Sequence, residues 1–113
     1  MARVDVTTQR IVNTGLAPTL TAPTVDGDVI DSGAVAVYVT NGSGGSINVT
    51  AQTPATQSGL AVAESVVAVA AGATRLIGPF PKGTFGQLSG ADEGQVYIDY
   101  SAQASVTRAV VGF

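Results

Sequence analysis

The sequence holds no histidine, no cysteine and no tryptophan in 113 residues, and each absence closes a class of chemistry. Without histidine and cysteine, neither a Ser-His-Asp nor a Cys-His nucleophile can be assembled, and the commonest zinc ligands are missing. Without cysteine the fold cannot depend on disulfides, so it suits a reducing cytosol and an oxidising exterior equally. Tryptophan is the preferred sugar platform, and its absence argues against a glycosidase cleft even though carboxylates are present. Charge is scarce too. Only 12% of residues are charged, about half the usual share. The basic residues Arg3, Arg10, Arg75, Lys82 and Arg108 are scattered and the formal net charge is -3. No cationic footprint for a phosphate backbone follows from that, and nucleic acid is not expected as a partner. The longest uncharged apolar run, "VVAVAAGA", is far short of the roughly 20 residues of a membrane-spanning helix, so no membrane partner is expected. "MARVDVTTQR" has no apolar stretch behind its charge, which predicts a chain without a signal peptide, made in the cytoplasm.

What is present points to β-structure. The chain is 45% hydrophobic but 5% aromatic, so its core is built from Val, Ala, Ile and Leu. Fourteen glycines and five prolines mark frequent turns. The length predicts a single domain, 1–113, around one core, with an extended N-terminal arm at 1–10. In "AVAVYVTN", Val35, Val37 and Val39 share one face while Ala34, Ala36, Tyr38 and Thr40 share the other. In "SINVTAQT", Ile47, Val49 and Ala51 alternate with polar residues. A period of two buries one face of a strand, and the linking "NGSGG" predicts a hairpin between the two runs. "QVYIDYS" (Val96, Ile98, Tyr100) and "SVTRAVVGF" (Val106, Arg108, Val110) predict a second hairpin, turning near "AQA". In residues 60–80 the alanines would support a helix, but Val62, Val66, Val67, Val69, Thr74 and Gly72 favour strands. Shorter strands fall in "RVDVTTQRIV" and "DVIDSG". The predicted fold class is all-β, an antiparallel β-sandwich or small jelly-roll-like barrel of seven to eight short strands.

Few residues carry candidate chemistry. "DGDVID" brings Asp26, Asp28 and Asp31 together as possible hard-oxygen ligands for calcium. Its glycine falls at the wrong position and no bidentate Glu follows, so a solvated turn is the favoured reading, with no metal and no cofactor. "GPFPKGT" has its Lys, Gly and Thr in the wrong order for a phosphate-binding loop. "NGS" and "NVT" match the glycosylation sequon but read as turn and strand residues. Nothing here assembles a nucleophile and base, and no enzyme is expected. The stretch "TRLIGPFPKGTFGQ" invites a different reading. Pro79 and Pro81 have no N–H to donate, so a strand through Arg75–Ile77 must leave its sheet at Gly78 or form an exposed edge. Phe80 and Phe85 are then either anchors for a partner's pocket or rings that close one end of the core.

The order "TGLAPT" (14–19), "VYVTNGSGGSINVTAQTP" (37–54), "AGATRLIGPFP" (71–81) and "GQVYIDYS" (94–101) resembles small proteins of tailed bacteriophages, namely head decoration or capsid auxiliary (cement) proteins. The resemblance implies a β-rich, non-enzymatic homo-oligomer, with a trimer favoured. It implies binding to the outer surface of an HK97-fold shell, where the partner is the major capsid protein and neighbouring capsomers are bridged. No site residue transfers with the resemblance. From residue character alone the expected protein interface is Met1, Arg3 and Val4 of the arm, Phe80, Pro81, Lys82 and Phe85 of the elbow, and Phe113. The alternative is a virion appendage or tail-associated β-sandwich that binds glycans or a host surface.

Overall fold

The period-two runs become the strands of a two-sheet sandwich. The computed structural model describes residues 3–61 and 63–113. In chain order the elements are β1 (Val4–Asp5), β2 (Gln9–Arg10), β3 (Asp28–Ile30), β4 (Val35–Asn41), β5 (Ile47–Ala51) and β6 (Thr56–Gln57). There follow β7 (Leu60–Ala61), β8 (Ser65–Val69), β9 (Thr74–Ile77), the single helical turn α1 (Lys82–Phe85), β10 (Val96–Tyr100) and β11 (Val106–Gly112). The first sheet has the order β1-β3-β10-β5-β8 and the second β2-β11-β4-β9, while β6 and β7 pair only with each other. The protein is thus an all-β sandwich with very little helix. Pairing is antiparallel except where β1 joins β3 and β2 joins β11.

Burial follows the alternation. Val35, Val37 and Val39 of β4 point inward, as do Ile47, Val49 and Ala51 of β5 and Val96, Ile98 and Tyr100 of β10. With Ile30, Val69, Ile77, Phe80, Val106 and Val110 they form one continuous core cluster. The ambiguous stretch after residue 60 forms strands. β8 and β9 are joined by a turn at 71–72, where Gly72 takes a φ of 75° that a side chain would disfavour.

Both expected hairpins are absent, for one reason. β4 pairs with β11 and β9, whereas β5 pairs with β10 and β8. "NGSGG" therefore arches from the second sheet to the first. The corner is built on Asn41, whose side chain is fully buried. Asn41 Nδ2 donates to the carbonyls of Gly45 (2.8 Å) and Val69 (2.9 Å), and its Oδ1 accepts from Ser43 N (3.0 Å) and Ser43 Oγ (2.6 Å). β10 and β11 likewise lie in different sheets, joined by 101–105, where Gln103 Nε2 donates to the Tyr100 carbonyl (2.8 Å). Alternation identifies the face a strand buries, not the strand it pairs with.

Residues 3–10, expected as an extended arm, are extended but docked. Arg3 Nη1 donates to Asp99 Oδ1 at 2.8 Å, and the guanidinium lies 4.4 Å from the centroid of the Tyr97 ring. Beneath it Gly27 (φ 84°) leaves no room for a side chain, since a Cβ there would come within 2.6 Å of the Ile98 carbonyl.

One ion pair crosses the interior from sheet to sheet. Arg108 on β11 donates through Nε to Asp28 Oδ2 (2.6 Å) and through Nη2 to Oδ1 (2.8 Å), and the Tyr100 hydroxyl donates to Oδ2 (2.6 Å). Arg108 Nη1 reaches the carbonyl of Thr21 (3.2 Å) and its hydroxyl. Asp28 is fully buried and Arg108 nearly so. The Asp28 hydrogen bond raises the Arg108 pKa further above its ordinary value. Burial first, and then the Asp28 charge, push the Tyr100 hydroxyl far above the ordinary phenol range.

Two outcomes are expected. Asp28→Ala leaves a buried guanidinium without its partner and lowers the unfolding free energy by about 3 to 5 kcal/mol, whereas the paired replacement Asp28→Leu with Arg108→Met recovers most of that loss in denaturant titrations. Tyr100 has a raised pKa in the fold, so its contribution is complete below the unfolded phenol value near pH 10. Above that pH the unfolded chain releases a proton that the fold retains, and stability falls by about 1.4 kcal/mol per pH unit. Tyr100→Phe shows a shallower alkaline slope in the same measurement.

Candidate functional site

The three carboxylates at 26–31 are not brought together. Asp28 is committed to Arg108 in the interior, and Asp31 at the surface accepts from Thr8 Oγ1 (2.7 Å). Asp26 is half-buried in the turn before β3. Only Asp28 lies on β3, with Asp26 in the turn before it and Asp31 just past its end, so closeness in sequence does not become closeness in space. Among the described residues no group of three His, Cys, Asp or Glu side chains could hold a metal ion.

The elbow is where side chains diverge from the interface reading. β9 is the edge strand of the second sheet and ends at Ile77. At Gly78 the chain runs so close to β4 that a Cβ would lie 2.4 Å from the Val35 carbonyl. Phe80 then exchanges backbone hydrogen bonds with Gly33 (2.7 and 3.1 Å), which turns its ring into the end of the sandwich. Phe80 is 2% exposed and is therefore a core ring, not a free anchor. Phe85 is half-buried against that core, carried there by the α1 turn, in which its N–H donates to the Pro81 carbonyl (2.9 Å). The two rings meet edge to face, with centroids 5.4 Å apart and planes at 76°. A ring of this size contributes far more when enclosed than when left in water, so the core holds Phe80 fully and Phe85 in part.

The remaining interface residues are spread over the surface. Met1 lies outside the described residues. Arg3 is engaged by Asp99 and Tyr97, and Val4, Pro81 and Lys82 are exposed. Phe113 is the most open large hydrophobic side chain of those described, at 83% exposure. It marks a surface that sequence reasoning did not assemble.

That surface is the outer face of the second sheet. The register sets Tyr38 beside Leu76 on one side and Ala109 on the other, with Ala36 opposite Val111. The 11–20 segment leaves β2 and returns at Thr21 to bond with the Arg108 backbone (2.8 and 3.0 Å). The Gln9 side chain holds it by bonding both the N–H (2.9 Å) and the carbonyl (3.0 Å) of Thr19. Leu16 and Pro18 of this segment cover part of the face. What stays open is a groove of about 430 Å³ lined by Ile11, Ala36, Leu76, Pro79, Val111 and Phe113, and a smaller hollow of about 230 Å³ adjoins it at Ile11, Leu76 and Val111. No charged residue lines either of them. A signal for this face was present in "TRAVVGF", where Ala109 and Val111 are apolar on the side that alternation assigns to solvent.

The first sheet presents the opposite character. Asp99 receives Arg3 and, through Oδ2, Gln52 Nε2 (2.7 Å), while Tyr97 donates to Asp92 (2.8 Å). That hydrogen bond raises the Tyr97 pKa. An aqueous face and an uncharged face therefore lie on opposite sides of one sandwich. Compared with protein-family models, curated proteins and solved structures, the chain matches none.

The placement of the rings gives a direct expectation. Phe80→Ala lowers the unfolding free energy by about 3 to 5 kcal/mol, the cost of emptying a core aromatic site. Phe85→Ala lowers it by less, because that ring is only half enclosed. Both show as lower denaturation midpoints in chemical unfolding.

Proposed function

We propose that this sandwich is a non-enzymatic structural component of a phage virion, one that docks on the outer surface of the capsid shell and bridges capsomers. The observation that carries the reading is the uncharged groove on the second sheet. Scattered apolar side chains are ordinary on a protein surface, but a contiguous patch with a polar surround is the mark of a protein contact. Leu76 is 66% exposed in the free protein, and burying such a side chain contributes about 1.5 to 3 kcal/mol. A groove of this volume is large enough to receive a branched or aromatic side chain from the shell. A contact of ordinary size covers on the order of 800 Å² per partner, and modest affinity at each copy adds up when many copies bind one lattice. The Gly- and Pro-punctuated runs that resemble head decoration proteins supply the identity of the partner, the major capsid protein. The rigid, charge-poor body is consistent with a contact made by shape and apolar area.

The decisive measurement mixes purified protein with mature, undecorated phage heads and follows co-sedimentation. Saturable binding is expected, and Leu76→Asp weakens it about tenfold or more while leaving the melting temperature of the free protein nearly unchanged, since the side chain is already in water. No binding to any head form removes the proposal. Glycan binding by the purified protein in its place would favour the appendage reading.

A further inference from the structure

The sandwich has open edges as well as open faces, and they are not equally protected. β1 and β2, at one end of each sheet, are two residues long and carry Asp5 and Arg10. β9 carries Arg75 and runs into Pro79. Short strands, charge and proline are the usual devices that stop a sheet edge from pairing with another chain. β8, the far edge of the first sheet, has none of them. It is five residues of Ser-Val-Val-Ala-Val, without charge or proline, and Val66 is 56% exposed. Among the described residues no strand covers its outer side.

The register shows which backbone groups are free. On β5, Asn48 bonds toward the β10 side through its carbonyl to Ser101 N (2.9 Å) and through its N–H to Ser101 Oγ (2.8 Å), and Gln52 N bonds to the Tyr97 carbonyl (3.0 Å). Antiparallel strands alternate the direction of these groups, so Ile47, Val49 and Ala51 point theirs at β8. Their partners there are Val69, Val67 and Ser65. The N–H and C=O groups of Val66 and Ala68 are left facing outward from the sheet.

We propose that β8 is a pairing edge whose occupant is β8 of a second copy of this chain. A two-fold axis through Val67 brings Val66 opposite Ala68 of the other copy, and each residue of that pair donates to and accepts from its partner. The same exchange repeats by symmetry, which satisfies every outward-facing group of Val66 and Ala68. Val67, half-buried at the seam between the sheets, then packs on its own symmetry mate. A two-fold contact sets the residues close to its axis beside their own images, so it penalises charge at the middle of the edge. β8 has no charge to penalise, whereas β9 would set Arg75 near a second Arg75. Arg75 lies across the seam from Ser65 and Val67 and is exposed, with room to turn to solvent. The product is one continuous sheet running through both copies. It leaves the groove of the second sheet unused and does not rest on the capsid reading.

The test is sedimentation equilibrium of the whole chain from micromolar to millimolar concentration, with amide exchange followed by NMR. A monomer–dimer equilibrium is expected, with the Val66 and Ala68 amides protected only at dimer-forming concentrations. Ala68→Pro removes an N–H that no strand of the monomer uses, and Val66→Lys places a blocking charge on the same edge. Each raises the dimer dissociation constant at least about tenfold with the monomer still folded by circular dichroism. If Ala68→Pro fails to fold, Val66→Lys decides the matter alone. A wild type that stays monomeric throughout, a dimer that survives the substitutions, or a trimer indifferent to them overturns the proposal. Head binding that persists while the dimer is absent overturns this inference and leaves the docking face standing.

Discussion

The bond between Asp28 and Arg108 is the constraint around which the sandwich is arranged. Two charges inside a core are costly to desolvate and are tolerated only when every remaining polar position is satisfied. Satisfying them here takes β3, which supplies Asp28, β10, which supplies Tyr100, β11, which supplies Arg108, and the loop at Thr21. The pair thereby joins the two sheets and fixes the slide of one against the other. It also draws the 11–21 segment back to β11, and that return lays Leu16 and Pro18 over the outer face. The open groove is what this coverage leaves behind.

A second polar group has the same logic at the opposite corner. Asn41 sits fully buried with both amide hydrogens and its carbonyl oxygen engaged. The arch from β4 to β5 needs its turning backbone groups satisfied without a hairpin ladder, and Asn41 does this from the end of β4. The buried polar side chains are thus Asn41 at the arch and the Asp28–Arg108 pair between the sheets, and apart from Phe80 and Tyr100 the core is aliphatic.

The elbow at 78–85 looked like a presented surface because it is rigid, apolar and rich in proline. Its rigidity instead serves closure. Gly78 brings the chain against β4, the Phe80–Gly33 bonds turn it inward, and α1 carries Phe85 back onto Phe80. With Phe80 enclosed and Phe85 half covered, the more open apolar area lies at Leu76 and Phe113 on the second sheet and at Val66 on the β8 edge of the first. Under the two proposals made above, the β8 edge takes a second copy and the groove takes a different partner.

Periodicity was enough to establish the class of fold, the inward faces of β4, β5 and β10, and the strand character of 65–77, because a strand's side chains alternate whatever lies beside it. The lack of histidine and cysteine was equally local knowledge. Strand partnership was not, since "NGSGG" can close a hairpin or cross between sheets, and the choice depends on whether Asn41 finds Val69 across the seam. The fates of Asp28 and Phe80 and the formation of the groove depend on residues distant in the chain, Arg108 for Asp28, Gly33 for Phe80, and Ile11 with Phe113 for the groove. Such contacts exist only after the two sheets have packed, so folding alone decided them.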